Sequence, residues 1–215
     1  MSPLYDCSDE TARQLGLDAA RQAIRNGELI VMPTDTVYGI GADAFSPDAV
    51  AALLQAKGRG RDMPVPVLVG SPAAFRGIAR ANKAVDAFIE AFWPGGLTLI
   101  CSEQPSLRWD LGETSGTVAV RMPDHQLALE VLTETGPLAV SSANVSGFAP
   151  AKTAAQAREQ LDDSVAVYLE AGPSKLGTPS TIMDMTGEVP RVLRSGVVGL
   201  DQLQAVVPQA LGPER

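Results

Sequence analysis

A short apolar run that stops abruptly on hydroxyls and glycines sets the tightest limit on how this chain can fold. Leu29-Ile30-Val31-Met32 has the length and character of a buried strand. It is followed at once by Pro33-Thr34-Asp35-Thr36-Val37-Tyr38-Gly39-Ile40-Gly41, which holds three hydroxyls, one carboxylate and two glycines in nine residues. Hydroxyls offer neutral donors and acceptors, and glycine lets the backbone approach a ligand closely. Such a segment at the end of a buried strand is where α/β proteins place small ligands. It can equally be an ordinary strand exit, with Asp35 and Thr36 making local turn bonds.

The rest of the chain repeats the theme. Apolar runs at 65–69, 97–101, 117–121, 138–141, 165–169, 181–185 and 189–193 read as strands. Helices are predicted over 9–26, from Ser46-Pro47 to Lys57-Gly58, from Ser71-Pro72, from Asn82 to Phe92, over 124–134, from Thr153 to Leu161, and as a short closing helix within 196–207. Ser-Pro places a capping hydroxyl before a proline suited to the first helical position. Segments 33–41, 102–115 and 171–180 read as loops. The expected fold is α/β (α+β in stricter schemes), a single three-layer domain over residues 10–207 with a twisted mixed sheet flanked by helices. Residues 208–215 are expected to fray.

Several strand ends carry polar groups: Thr34 and Thr36, Thr117 and Arg121, Ser141, Ser142 and Asn144, Ser180 and Thr181, then Arg194. Arg121 on a strand face can hold a carboxylate in two parallel hydrogen bonds, or serve a structural ion pair. Lys57, Arg59 and Arg61 fall within five residues, among glycines, and phosphate is their natural partner. A solvated loop is the alternative. Ser142 lacks an obvious base and no GxSxG is present, so it reads as a binding hydroxyl. Neither a Walker A loop nor GxGxxG after a strand occurs.

Composition removes other classes. The formal net charge is −8, which argues against a general nucleic-acid or anionic-membrane binder. Two distant cysteines, Cys7 and Cys101, suit a reducing cytoplasm and form no zinc or redox motif. The single histidine, His125, excludes a multi-His metal site and is expected on the surface of a first helical turn. The first ten residues lack the apolar core of a signal peptide, and no run approaches a membrane span, so a cytoplasmic protein is expected.

Taken together, PTDTVYGIG (33–41), AKGR (56–59), WPGGLT (93–98), VAVRMP (118–123), SSANVSG (141–147), PSTIMD (179–184) and LRSG (193–196) resemble, in order, the YrdC-like family of threonylcarbamoyl-AMP synthases. The resemblance covers roughly 10–200, and the length is similar to the short bacterial form. It implies a YrdC-like domain that makes threonylcarbamoyl-AMP and pyrophosphate from L-threonine, bicarbonate and ATP, with Mg²⁺ accompanying ATP and no metal site of the protein's own. The product would pass to the tRNA threonylcarbamoyl-transfer machinery for t6A37 modification, without stable tRNA binding here. It further implies that Thr36, Arg121, Ser142 and Ser180 hold threonine. Lys57, Arg59, Thr117, Asn144, Thr153 and Arg194 would hold ATP, with Lys57 and Arg59 as catalytic cations. Two positions depart from the family: Gly60 where proline is common, and Met63 where a second lysine is common, with Arg61 as the nearby substitute charge. A YrdC-like double-stranded RNA binder, or an adenylate-forming paralogue with another substrate, is the alternative.

Overall fold

The computed structural model describes residues 2–213. In chain order the elements are β1 (Leu4–Asp6), α1 (Glu10–Arg25), β2 (Ile30–Met32), β3 (Gly39–Asp43), α2 (Pro47–Lys57), β4 (Val67–Leu68), α3 (Pro72–Ile78), α4 (Lys83–Phe92), β5 (Leu97–Ser102), β6 (Thr117–Arg121), α5 (Gln126–Thr135), β7 (Leu138–Ser142), α6 (Ala154–Leu161), β8 (Val167–Glu170), β9 (Thr181–Asp184), β10 (Arg191–Arg194) and α7 (Leu200–Val206). The strands form one sheet in the order β1-β8-β2-β3-β7-β4-β6-β5-β9-β10. Parallel pairs (β1–β8, β2–β8, β4–β6, β5–β9) mix with antiparallel ones (β2–β3, β3–β7, β4–β7, β5–β6, β9–β10).

Side-chain alternation shows why this sheet is the middle of three layers. Leu29 and Val31 enter one apolar core, while Ile30 and Met32 enter the other. In β7, Ala139 faces the first core and Leu138 and Val140 the second. Helices α1 and α5 cover the second core, with Leu17, Ile24, Leu127 and Val131. The first core takes Leu53 of α2, Phe75 of α3, Phe88 of α4, Leu161 of α6 and Leu203 of α7. Each such fully buried large apolar side chain is worth about 1.5–3 kcal/mol. Among the described residues no helix is long and apolar enough to cross a membrane.

The predicted caps close their helices. Ser46, Ser71, Asn82 and Thr153 accept hydrogen bonds from the amides of Ala49, Ala74, Val85 and Gln156. Other expectations need correction. Segment 33–41 is not all loop: β3 begins at Gly39, whose missing side chain leaves room for Val140 on the neighbouring strand, 2.6 Å from where a Cβ would stand. The sheet also starts before residue 10, because β1 pairs with β8. Nor is all of 208–215 frayed: Leu211 accepts from the Val192 amide at 2.9 Å and donates to the Pro190 carbonyl at 2.9 Å. Glu214 and Arg215 lie outside the described residues.

Candidate active site

The hydroxyl-rich loop leaving β2 folds into a tight internal knot. Thr34 Oγ1 donates to the Val37 carbonyl at 2.6 Å, accepts from the Thr36 amide at 3.2 Å, and lies 3.0 Å from Thr36 Oγ1. This places Thr36 against Arg121, the last residue of β6. Arg121 is 6% exposed and Asp35 3%. The guanidinium donates through Nη1 to Thr36 Oγ1 at 2.7 Å, through Nε to the Gly95 carbonyl at 2.8 Å, and through Nη2 to Asp35. Asp35 also accepts from the Asp124 amide at 3.0 Å. Three of the five guanidinium N–H groups are thus committed, and two remain for a ligand.

Around Arg121 opens a cleft of about 220 Å³. Thr36, Arg59, Arg121, Ser142, Ser180 and Arg194, all selected from sequence, line it. So do Thr34 and Ser141, strand-end hydroxyls with no particular ligand implied for them, and Thr98, which carries no such strand-end signal. Thr98 comes from β5, and its hydroxyl lies 2.8 Å from that of Ser180. The signal for it was its place in WPGGLT. Arg194 of β10 grips Ser180, donating through Nη2 to its carbonyl at 2.8 Å and to its hydroxyl at 3.1 Å. Arg59 donates to Ser146 Oγ at 3.2 Å and Ser141 Oγ at 3.4 Å. Three arginines and a ring of hydroxyls therefore face one space, and its described lining contains no carboxylate. Such a space favours an anion and can orient it through several directed donors.

Four of the residues expected to hold ATP do not line this cleft. Lys57 is fully buried behind it, bonded to Ser142 and Asn144. Burial, and secondarily the nearby Arg59 charge, push its ammonium down to about 7. Asn144 is buried, its amide donating to the Val145 and Phe148 carbonyls at 2.9 and 2.8 Å. Thr117 donates to the Thr114 carbonyl at 2.7 Å and lines a separate recess of about 60 Å³ beside Pro64 and Ala119. Thr153 is occupied as the cap of α6. Arg61 is tied to Asp110 at 2.6 Å and does not line the cleft in place of the absent lysine at position 63. His125 is half-buried at the start of α5, not a surface residue, and burial lowers its pKa. Its Nδ1 has no hydrogen-bond partner.

Sheet order, cleft and motifs define a member of a known family, and the chain belongs to it: the Sua5/YciO/YrdC family, described as "Telomere recombination", matches residues 22–196. Particular relatives sharpen the comparison. A Mycobacterium tuberculosis protein provisionally named threonylcarbamoyl-AMP synthase is 55% identical over 208 residues, 96% of each chain. The threonylcarbamoyl-AMP synthase of Bacillus subtilis is 36% identical over 191 residues, covering 87% of this chain and 55% of its own length. The crystal structure of Pyrococcus abyssi Sua5 complexed with L-threonine superposes with a TM-score of 0.88 at 30% identity, covering 95% of this chain and 59% of that one. This chain thus spans a little over half the length of the last two proteins.

Proposed function

We propose that this protein is an L-threonylcarbamoyladenylate synthase, a nucleotidyltransferase that forms threonylcarbamoyl-AMP and pyrophosphate from L-threonine, bicarbonate and ATP. The observation that carries the reading is the convergence of Arg59, Arg121 and Arg194 with the hydroxyls of Thr36, Ser142 and Ser180 on one cleft. The relatives' names support the same product, and the threonine-bound Sua5 supports the same amino-acid substrate.

In this reading the two uncommitted N–H groups of Arg121 take the threonine carboxylate, with Thr36 and Ser180 beside it. The threonine amine is carboxylated by bicarbonate, releasing water. A carbamate oxygen then attacks the α-phosphorus of ATP, and the bond from that phosphorus to the bridging oxygen breaks. Charge gathers on the departing pyrophosphate, and this reading gives Arg59 and Arg194 of the cleft lining the role of meeting it. This is catalysis by positioning and electrostatics. The polar residues lining the cleft carry hydroxyls and guanidinium groups, and no His, Cys, Asp or Glu cluster suited to a metal occurs among the described residues. That donor set fits Mg²⁺ held by the triphosphate's own oxygens, where it would neutralise part of the phosphate charge. The adenylate would be handed to the tRNA threonylcarbamoyl-transfer machinery for t6A37.

The test is pyrophosphate release from Mg-ATP with L-threonine and bicarbonate, omitting each in turn, in the wild type and in Arg121→Ala. Release that needs both co-substrates and falls by about 10²–10³ in the variant is expected, the scale of losing one transition-state donor. Release without threonine, or none from folded protein, would overturn the reading.

A further inference from the structure

We propose that Lys57 is a positioning residue: its ammonium holds the 142–144 turn in shape from behind and does not meet the substrate. The inference rests on the synthase reading for the identity of the substrates, and on the following geometry for the role.

Helix α2 ends at Lys57 because Gly58 adopts φ 63°, ψ 37° and reverses the chain. Glycine takes this left-handed conformation without a side-chain clash. The cations on either side of it then differ in what they meet, although both reach the 141–146 segment. Arg59 emerges into the cleft, whereas Lys57 is 0% exposed.

The Lys57 Nζ lies among four oxygens. They are the Ser142 carbonyl, the Asn144 carbonyl at 2.6 Å, Asn144 Oδ1 at 3.1 Å and Ser142 Oγ at 3.3 Å. Three of these oxygens can only accept, so against the burial that lowers its pKa the surroundings of Nζ favour the charged ammonium with three N–H groups. All three have partners, and turning one towards a phosphate would leave the Ser142 and Asn144 oxygens short of a donor. The backbone closes the same structure: the Ser146 amide donates to the Lys57 carbonyl at 3.0 Å, and the Ala143 amide to that of Tyr38 at 2.8 Å. Asn144 faces inward with Lys57, because its Oδ1 receives the ammonium and its Nδ2 bonds two carbonyls of the same loop. Lys57 and Asn144 are therefore the frame, and Ser141, Ser142 and Arg59 are the face presented to ligands.

The frame carries Ser142, assigned to threonine, and it supports Ser141 and Ser146, which hold Arg59 for ATP. Losing it should disturb both subsites together. A cation touching only phosphate would disturb one.

Two measurements test this. The wild-type protein has four lysines, Lys57, Lys83, Lys152 and Lys175. It is acetylated with an N-hydroxysuccinimide ester, with and without Mg-ATP, and mapped by peptide mass spectrometry. Lys83, Lys152 and Lys175 should react, and Lys57 should stay unmodified in both samples. Acetylation of Lys57 in folded, ligand-free protein, whether or not ATP protects it, would overturn the proposal. In steady-state kinetics, Lys57→Met should raise KM for L-threonine and for ATP by at least about fivefold each. A rise confined to ATP would mark a direct phosphate contact, and unchanged KM values with fewer active molecules would mark a purely structural residue. Either result overturns the proposal. If Lys57→Met does not fold, the acetylation map decides alone. Because the map needs no turnover, it also separates this proposal from the synthase reading, which fails only if wild-type release is independent of threonine or absent.

Discussion

At the scale of the residue, the decisive contact is one carboxylate behind one guanidinium. Asp35 fixes the end of Arg121 from inside the protein, and its backbone carbonyl accepts from the Leu176 amide at 2.9 Å, tying in the loop before β9. Removing one partner of a buried ion pair leaves the other charge uncompensated. Asp35→Ala should therefore lower the unfolding free energy by about 3–5 kcal/mol, read by urea denaturation. Asp35→Asn keeps an oxygen acceptor but not the charge. It should fold and raise KM for L-threonine about tenfold, equivalent to ~1.4 kcal/mol, with KM for ATP little changed. An unchanged threonine KM would show that Arg121 does not need its partner to bind the carboxylate. Residue types and spacing made Thr36 and Arg121 visible in the sequence, but not the carboxylate paired with the arginine: Arg121 and Asp35 are separated by 86 positions. The inward turn of Lys57 was hidden for a related reason. Three nearby cations look alike in sequence, and nothing local to them says that Lys57 is buried, Arg59 reaches the cleft and Arg61 pairs with Asp110.

At the scale of the element, helices were the more legible parts because their starts are written locally. A capping hydroxyl or amide followed by proline or an apolar stripe acts within four residues, and the caps before α2, α3, α4 and α6 all make the bonds that such sequences imply. Strand β3 was illegible because Gly39 and Gly41 serve a neighbour across the sheet, and β1 because three residues carry no period. The glycine of LRSG has a similar cross-chain reason. A Cβ on Gly196 would stand 2.4 Å from the Thr181 amide nitrogen and 2.4 Å from the Ser180 carbonyl carbon. This obstacle is backbone, so it cannot be relieved by a side-chain rotation. Gly196→Ala should displace the start of β9, carry Ser180 away from Thr98, and lower threonine-dependent pyrophosphate release at least tenfold. A variant of normal activity would mean that this chain crossing can open without moving the site.

At the scale of the whole molecule, the −8 net charge and a cleft of only about 220 Å³ point to small anionic substrates rather than a polyanion. In a gel-shift titration, unmodified tRNA should not be retained at physiological salt; retention with a steep salt dependence would favour the RNA-binding alternative. The three-layer arrangement was legible because strands buried on both faces leave continuous apolar runs. Strand order was not, since nothing in β9's sequence says that it lies beside β5 rather than β8. That order has a consequence for how the protein comes into being. Ser180 and Arg194 enter the cleft only when β9 joins β5 and β10 joins β9, in the last fifth of the chain. Translation delivers residues one by one, at about 5–20 per second, and domains fold as their parts become available. A nascent chain on the ribosome can thus build most of the sheet yet lack one wall of the site. Competence to activate ATP would follow only once the chain through Arg194 is available, so a copy that stops short of β10 releases no reactive adenylate.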